Sequence, residues 1–257
     1  MRKNLIIATM MVGATLCGCS EWAGEPITRE FNIDGTYSEL QVEDAFDVEI
    51  SDAVSTIAVT VAENVMPNVV VEKKGSRLKI YLKGWATNRG TDMKVLLPIN
   101  PDLKRVELSG ASDFYGNISA ELIEVLLSGA SDFHGDIEGD KVQLELSGSS
   151  DLKGAIDAKE LYLNMSGSSE ALLEGHVDEL RMNLSGASDI VKKKVGNRYA
   201  LSCDLCEGSM SGSSDAYIHC DGSIKVNLSG SSDLHYSGNA YTSCNATGSS
   251  GLFHDIL

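Results

Sequence analysis

The stretch Val106-Glu107-Leu108-Ser109-Gly110-Ala111-Ser112-Asp113-Phe114 sets the architecture of this chain. Nineteen residues later it returns as Val125-Leu126-Leu127-Ser128-Gly129-Ala130-Ser131-Asp132-Phe133. The pentad Ser-Gly-(Ala/Ser)-Ser-(Asp/Glu) starts at Ser109, Ser128, Ser147, Ser166, Ser185, Ser211 and Ser229, and a degenerate copy, Thr247-Gly248-Ser249-Ser250-Gly251, ends the series. The steps are 19, 19, 19, 19, 26, 18 and 18 residues. A constant step with turn residues at a fixed place marks a solenoid, whose units bury apolar surface only by stacking on one another.

An alternating strand precedes each pentad. Ile123, Val125 and Leu127 are followed in the same places by Val142, Leu144 and Leu146, by Leu161, Leu163 and Met165, and later by Ile224, Val226 and Leu228. A period of two puts each set on one face. A coil of 18 to 19 residues is too short for a helix plus strands. It suits three short strands with tight corners, stacked about 4.8 Å apart. A meander would reverse at every turn and lose the fixed column order. The expected fold is therefore all-β, a parallel β-helix. At each corner Gly takes a positive φ without a Cβ clash, and Ser and Asp are expected to bond nearby backbone N–H groups.

Outside the repeats the chain divides as follows. Residues 1–18 read as a lipoprotein signal peptide: Arg2 and Lys3, an apolar run from Leu5 to Leu16, then the lipobox Leu16-Cys17-Gly18-Cys19. Cys19 would be the lipidated N-terminus, and residues 19–30 a tether. Residues 31–105 are strand-rich but lack the pentad, as irregular β coils or a capping sheet. Residues 106–257 form the repetitive β-helix.

Several segments resemble the GIN-domain family, described as auto-transporter adhesin heads and common in Bacteroidetes lipoproteins. They are Ala45-Phe46-Asp47-Val48-Glu49-Ile50, Leu78-Lys79-Ile80, Val95-Leu96-Leu97-Pro98, and Val106 to Asp113 with its echoes. The resemblance implies a right-handed parallel β-helix and an adhesive role. The chain departs from an auto-transporter in ending at Leu257, with no room for a membrane barrel.

The formal charge is −16, and removing Arg2 and Lys3 with the leader leaves 19 basic against 37 acidic side chains, a charge of −18. Such a surface fits nucleic acid and anionic lipid poorly. It fits a body held off a membrane by its N-terminal lipid, on the cell envelope and most simply on the outer membrane. A glycan or a host or matrix protein is the expected partner; the oligomeric state is open.

Two columns are candidate sites. Asp113, Asp132, Asp151, Glu170, Asp189, Asp215 and Asp233 share one register. They read first as corner carboxylates accepting backbone N–H bonds, with a row of calcium sites as the alternative. Tyr115, His134, Tyr217, His235 and Phe253 share the next outward register and offer rings to a sugar or protein partner. Asn164, Asn183, Asn227 and Asn245 form an outward polar ladder. Cys203 and Cys220 fall in nearly the same register of consecutive coils and are expected to form a disulfide, leaving Cys206 and Cys244 as buried thiols. No catalytic constellation or cofactor motif stands out: of the five His residues only His134 and His235 share a pentad register, five coils apart. The expectation is a non-catalytic binding module. Its rivals are a polysaccharide-active enzyme, which would need carboxylates and a basic residue gathered in one groove, and a mechanical spacer or envelope-assembly factor.

Overall fold

The computed structural model describes residues 24–84 and 92–256. The signal peptide, Cys19 and the loop around residues 87–91 lie outside these residues. Nearly all strands join one 21-stranded sheet wound into stacked coils; a two-stranded hairpin stands apart.

From Arg105 onward the ladders between coils are parallel and, apart from a shift between Cys203 and Leu205, in the register expected from the repeats. Val125 pairs with Val106 and Leu144, Leu144 with Leu163, and Leu163 with Met182. These side chains are fully buried, and Phe114, Phe133 and Leu152 fill the inner face after the corner. Identical registers place like on like; the Phe114 and Phe133 rings stack at 5.1 Å.

The corner departs from expectation in one respect. The fourth pentad residue points inward and is wholly buried at Ser112, Ser131, Ser150, Ser169, Ser188, Ser214 and Ser232. Its hydroxyl donates to the carbonyl of the leading Ser, as from Ser150 to Ser147 at 2.9 Å, and at Ser112, Ser131 and Ser188 it also accepts a backbone N–H, at 3.3, 3.4 and 3.2 Å. The bend turns that carbonyl away from water, and the serine proton satisfies it. The second residue needs no correction. Gly148 has φ +80°, and a Cβ there would lie 2.4 Å from the Gly129 carbonyl oxygen of the coil below.

The segment before the repeats is continuous with the stack. Glu39–Val42 lies between Arg77–Leu82 and Arg105–Leu108, and Phe46–Ser51 lies between Met93–Pro98 and Asp113–Tyr115, all in parallel pairs. Antiparallel partners then close this end. Pro26–Phe31 pairs with Ile57–Ala62, which pairs with Met93–Pro98, and Val69–Lys74 pairs with Arg77–Leu82. A solenoid end exposes apolar side chains and free strand edges, and these antiparallel pairs cover them.

Candidate functional site

The acidic column forms as the repeats predict. Asp113, Asp132, Asp151, Glu170 and Asp189 are successive partners, and Asp215 pairs with Asp233. The carboxylates serve the backbone of the next coil. Asp132 Oδ1 accepts the Asp151 N–H at 3.2 Å, and Asp189 Oδ1 accepts the Asp215 N–H at 2.7 Å. Burial, together with the neighbouring carboxylates, raises Asp113, Asp151 and Asp215 above the usual carboxylate range. The column also has a member that the repeat count misses: Asp47 pairs with Asp113. The Ala111 N–H bonds the Asp44 carbonyl, so Glu43-Asp44-Ala45-Phe46-Asp47 lies under the first pentad. Asp44, at φ +76°, takes the place of its Gly.

The outward rings gather into two stacks. Tyr115 lies on His134 at 4.9 Å; Tyr217, His235 and Phe253 stack at 4.8 and 4.9 Å. Lys153, Leu172 and Val191 occupy the coils between them. The second stack is already engaged by the protein. Lys192 Nζ sits 5.0 Å above the Tyr217 ring, and Asp255 bonds His235 Nδ1 at 3.1 Å. The asparagine ladder also forms, with Asn183 bonded to Asn164 and Asn245 to Asn227, each at 3.0 Å.

Cys203 and Cys220 are direct register partners, both buried, and among the described residues Cys203, Cys206, Cys220 and Cys244 carry free thiols. The Cys206 thiol beside it pushes the Cys203 thiol up and burial adds to that, outweighing the Cys220 sulfur, which acts the other way. Cys244 is half-buried rather than buried, because its coil is the last described and is covered from one side only.

A groove that the columns do not reveal lies on the middle face. The 26-residue step contains a hairpin, Lys194–Val195 with Arg198–Tyr199, standing off the coils. Tyr199 anchors it. Its ring is fully buried edge-on against Tyr217, its N–H bonds Ser237 Oγ at 3.2 Å, and its hydroxyl donates to Asp255. Burial works to raise the Asp255 carboxyl, but hydrogen bonds from Tyr199 and His235 outweigh it and hold that carboxyl low.

Beneath the hairpin opens a groove of about 1010 Å³, with Val195 and Arg198 on its wall and Ser119, Glu138, Asp157, Glu174 and His176 along its floor. Asn117 and Asp136 also line it, and their side chains accept the N–H groups of Asp136 and Ala155. Glu174 pairs with Lys193 at 2.7 Å. Glu138 and Asp157 are exposed and, among the described residues, have no side-chain hydrogen bond or ion pair to protein. The unequal step was the available signal for this wall. The histidine count also changes: His176 and His219 share one column through Ser202, because a register shift between Cys203 and Leu205 and the longer coil displace them from the pentad count.

Comparison with known proteins agrees with this architecture. The family described as "putative auto-transporter adhesin, head GIN domain" matches residues 36–240. A crystal structure of a putative adhesin from Parabacteroides distasonis is similar at TM-score 0.78 and 21% identity, covering 90% of this chain and 98% of that one. One of a putative adhesin from Parabacteroides merdae has TM-score 0.79 and 19% identity, covering 90% and 97%. A third, a putative lipid binding protein from Parabacteroides distasonis, has TM-score 0.78 and 24% identity, covering 90% and 97%. No curated protein matches the sequence.

Proposed function

Since the chain belongs to the GIN head-domain family of putative auto-transporter adhesins, we propose that it is an adhesin head that takes an extended glycan in the groove beneath the 194–199 hairpin. The observation that carries this reading is the groove itself. The other coils of the repeat are nearly interchangeable, and among the described residues the hairpin is where the repeats acquire a wall. The floor crosses several coils at about 4.8 Å each, the length of a few sugar residues. Glu138, Asp157 and Ser119 offer acceptors to sugar hydroxyls, and Ile118, Ile137 and Ile156 lie beneath them. A carboxylate that accepts from a pair of sugar hydroxyls makes charge-assisted hydrogen bonds.

The adhesin family suits a cell-envelope or surface location, and no described helix is long and apolar enough to cross a membrane. Lipid on Cys19 is the proposed anchor. Cys19→Ser should release the chain from membranes or leave an unprocessed precursor; unchanged palmitate labelling in that variant sinks the anchor. The glycan reading is tested on a glycan and matrix-protein array with the delipidated chain, with and without calcium. Retention of a glycan class by the wild type and its loss in Glu138→Lys/Asp157→Lys supports it. Retention of matrix protein alone replaces it with a protein partner.

One observation favours a second reading. The groove gathers carboxylates and Arg198, the arrangement a polysaccharide-active enzyme would need. The family and the solved relatives are described as adhesins or binding proteins rather than enzymes. Incubating the chain with each retained polysaccharide and measuring new reducing ends separates binding from cleavage.

A further inference from the structure

At the margin of the groove, away from the acidic column, three side chains converge. The ligand atoms of His176, Asp178 and Asp204 all lie within 4.8 Å of one another. His176 Nε2 is 3.6 Å from Asp178 Oδ1 and 4.0 Å from Asp204 Oδ1. All three side chains are about half exposed or more, so an ion can reach them.

The far side of the ring fixes what Nε2 offers. Ser202 Oγ donates its only proton to the Gly175 carbonyl at 2.7 Å. It lies 3.2 Å from His176 Nδ1, and with that proton committed it can only accept from the ring. Nδ1 therefore carries the imidazole proton, and Nε2 presents a lone pair toward two carboxylates. Three electron-pair donors facing one another offer a place for an electrophile. A histidine whose second nitrogen is tied to a hydroxyl behind it is the arrangement found in metal sites, where it fixes tautomer and ring direction.

We propose that His176, Asp178 and Asp204 bind one divalent transition-metal ion of the zinc class, with open positions toward the groove. An imidazole nitrogen among carboxylates selects such an ion over calcium or magnesium. Ligands on a tetrahedral zinc stand about 3.4 Å apart for bonds of about 2.1 Å, so small rotations of two exposed carboxylates close the site. His219 is placed similarly but held differently: Nε2 is 3.1 Å from Asp221, and Nδ1 is 3.0 Å from Ser237 Oγ, which accepts the Tyr199 N–H and keeps its own proton to give to the ring. It has one carboxylate in reach where His176 has two, and it is the internal control. The site stands apart from the glycan reading, because it binds metal whether or not the groove takes a sugar.

The test is calorimetric titration of the full chain in detergent micelles with zinc chloride in metal-free buffer at neutral pH, with cobalt(II) absorption as a second readout. The expected result is one saturable equivalent whose affinity falls as pH drops and the imidazole protonates. His176→Gln and Asp204→Asn should each abolish it or weaken it at least about tenfold, and Ser202→Ala should weaken it by about tenfold or more. His219→Gln and Asp132→Asn should leave it unchanged. Melting temperatures without metal establish that each variant is folded. Absence of saturable binding by the wild type overturns the proposal, as does binding unaltered in folded His176→Gln.

Discussion

The molecule carries two acidic regions, and they do opposite things with their charge. At the repeated corner, each carboxylate that bonds the next coil accepts a backbone N–H, as Asp132 and Asp189 do. On the groove floor, Glu138 and Asp157 face water without a protein partner among the described residues. The first set is architecture: like charges about 4.8 Å apart repel, and the hydrogen bonds between coils offset that. The second set is free to meet a ligand. A column repeated in every coil serves the scaffold, and the break in the repeat is where we propose recognition.

The comparison can be broken most forcefully at the wall. Tyr199→Ala removes a fully buried ring and should destabilise the fold by about 3–5 kcal/mol, while Arg198→Ala on the exposed side of the same hairpin should stay within about 0.5 kcal/mol. Denaturant unfolding of the pair measures both. A mild Tyr199→Ala would mean that the hairpin is not anchored as described.

Next comes the contrast between acids. Asp189→Ala takes the acceptor from the Asp215 N–H and should cost about 1–2 kcal/mol; Asp157→Ala in the groove should change stability by less than about 0.5 kcal/mol. Equal costs would erase the distinction. A smaller effect of opposite sign is expected from Asp113→Asn, which keeps an acceptor oxygen but removes a charge facing Asp47 and Asp132. It should stabilise the fold by about 0.2–1 kcal/mol.

The pH profile carries the same signature. Burial and neighbouring carboxylates raise Asp47, Asp113, Asp151 and Asp215, with Asp92 adding to the effect on Asp47. A carboxyl raised in the folded state penalises folding while ionised, and the penalty lifts as pH falls through the folded value. Glu39, held low by Ser76 and Arg77, and Asp221, held low by the Asn239 N–H, act the other way. Their contribution is present above the unfolded value and is lost as pH falls through the lowered one. Stability should therefore rise on mild acidification from neutral pH before it falls at lower pH. Melting curves of Asp113→Asn/Asp151→Asn/Asp215→Asn should show a flatter rise. The smallest effect concerns calcium at the corner: its shift in melting temperature should match that of other salts at equal ionic strength. A saturable, calcium-specific rise would make the column a binding site, since a ligand of the native state stabilises it.

Much of the fold was legible because stacking forces identical chemistry into each coil. The inward ladders, the seven corner acids and the ring columns follow from counting along the pentad, which brings Cys203 and Cys220 to within one residue of each other; the irregularity between Cys203 and Leu205 makes them partners. The hidden coil was not legible. In Glu43-Asp44-Ala45-Phe46-Asp47 a Glu replaces the leading Ser, a left-handed Asp replaces Gly and a buried Phe replaces Ser, so only Ala45 and Asp47 keep the repeat's residues. The groove was legible only as an unequal step, because nothing in the sequence from Val191 to Ala200 says over which face an inserted hairpin folds. The His176 cluster was hidden for a related reason: the irregularity at Asp204 and the longer coil shift the count by which columns are read.

The central claim is that recognition belongs to the groove and the corner column belongs to the fold. It is tested most directly by one binding measurement on folded Glu138→Lys/Asp157→Lys and Asp113→Asn/Asp132→Asn variants, using the glycan that the wild-type chain retains best on the array. The account predicts that the groove variant loses at least about tenfold in affinity, a change of about 1.4 kcal/mol, while the corner variant binds as the wild type does. Loss of binding in the corner variant, with the groove variant unaffected, would contradict it.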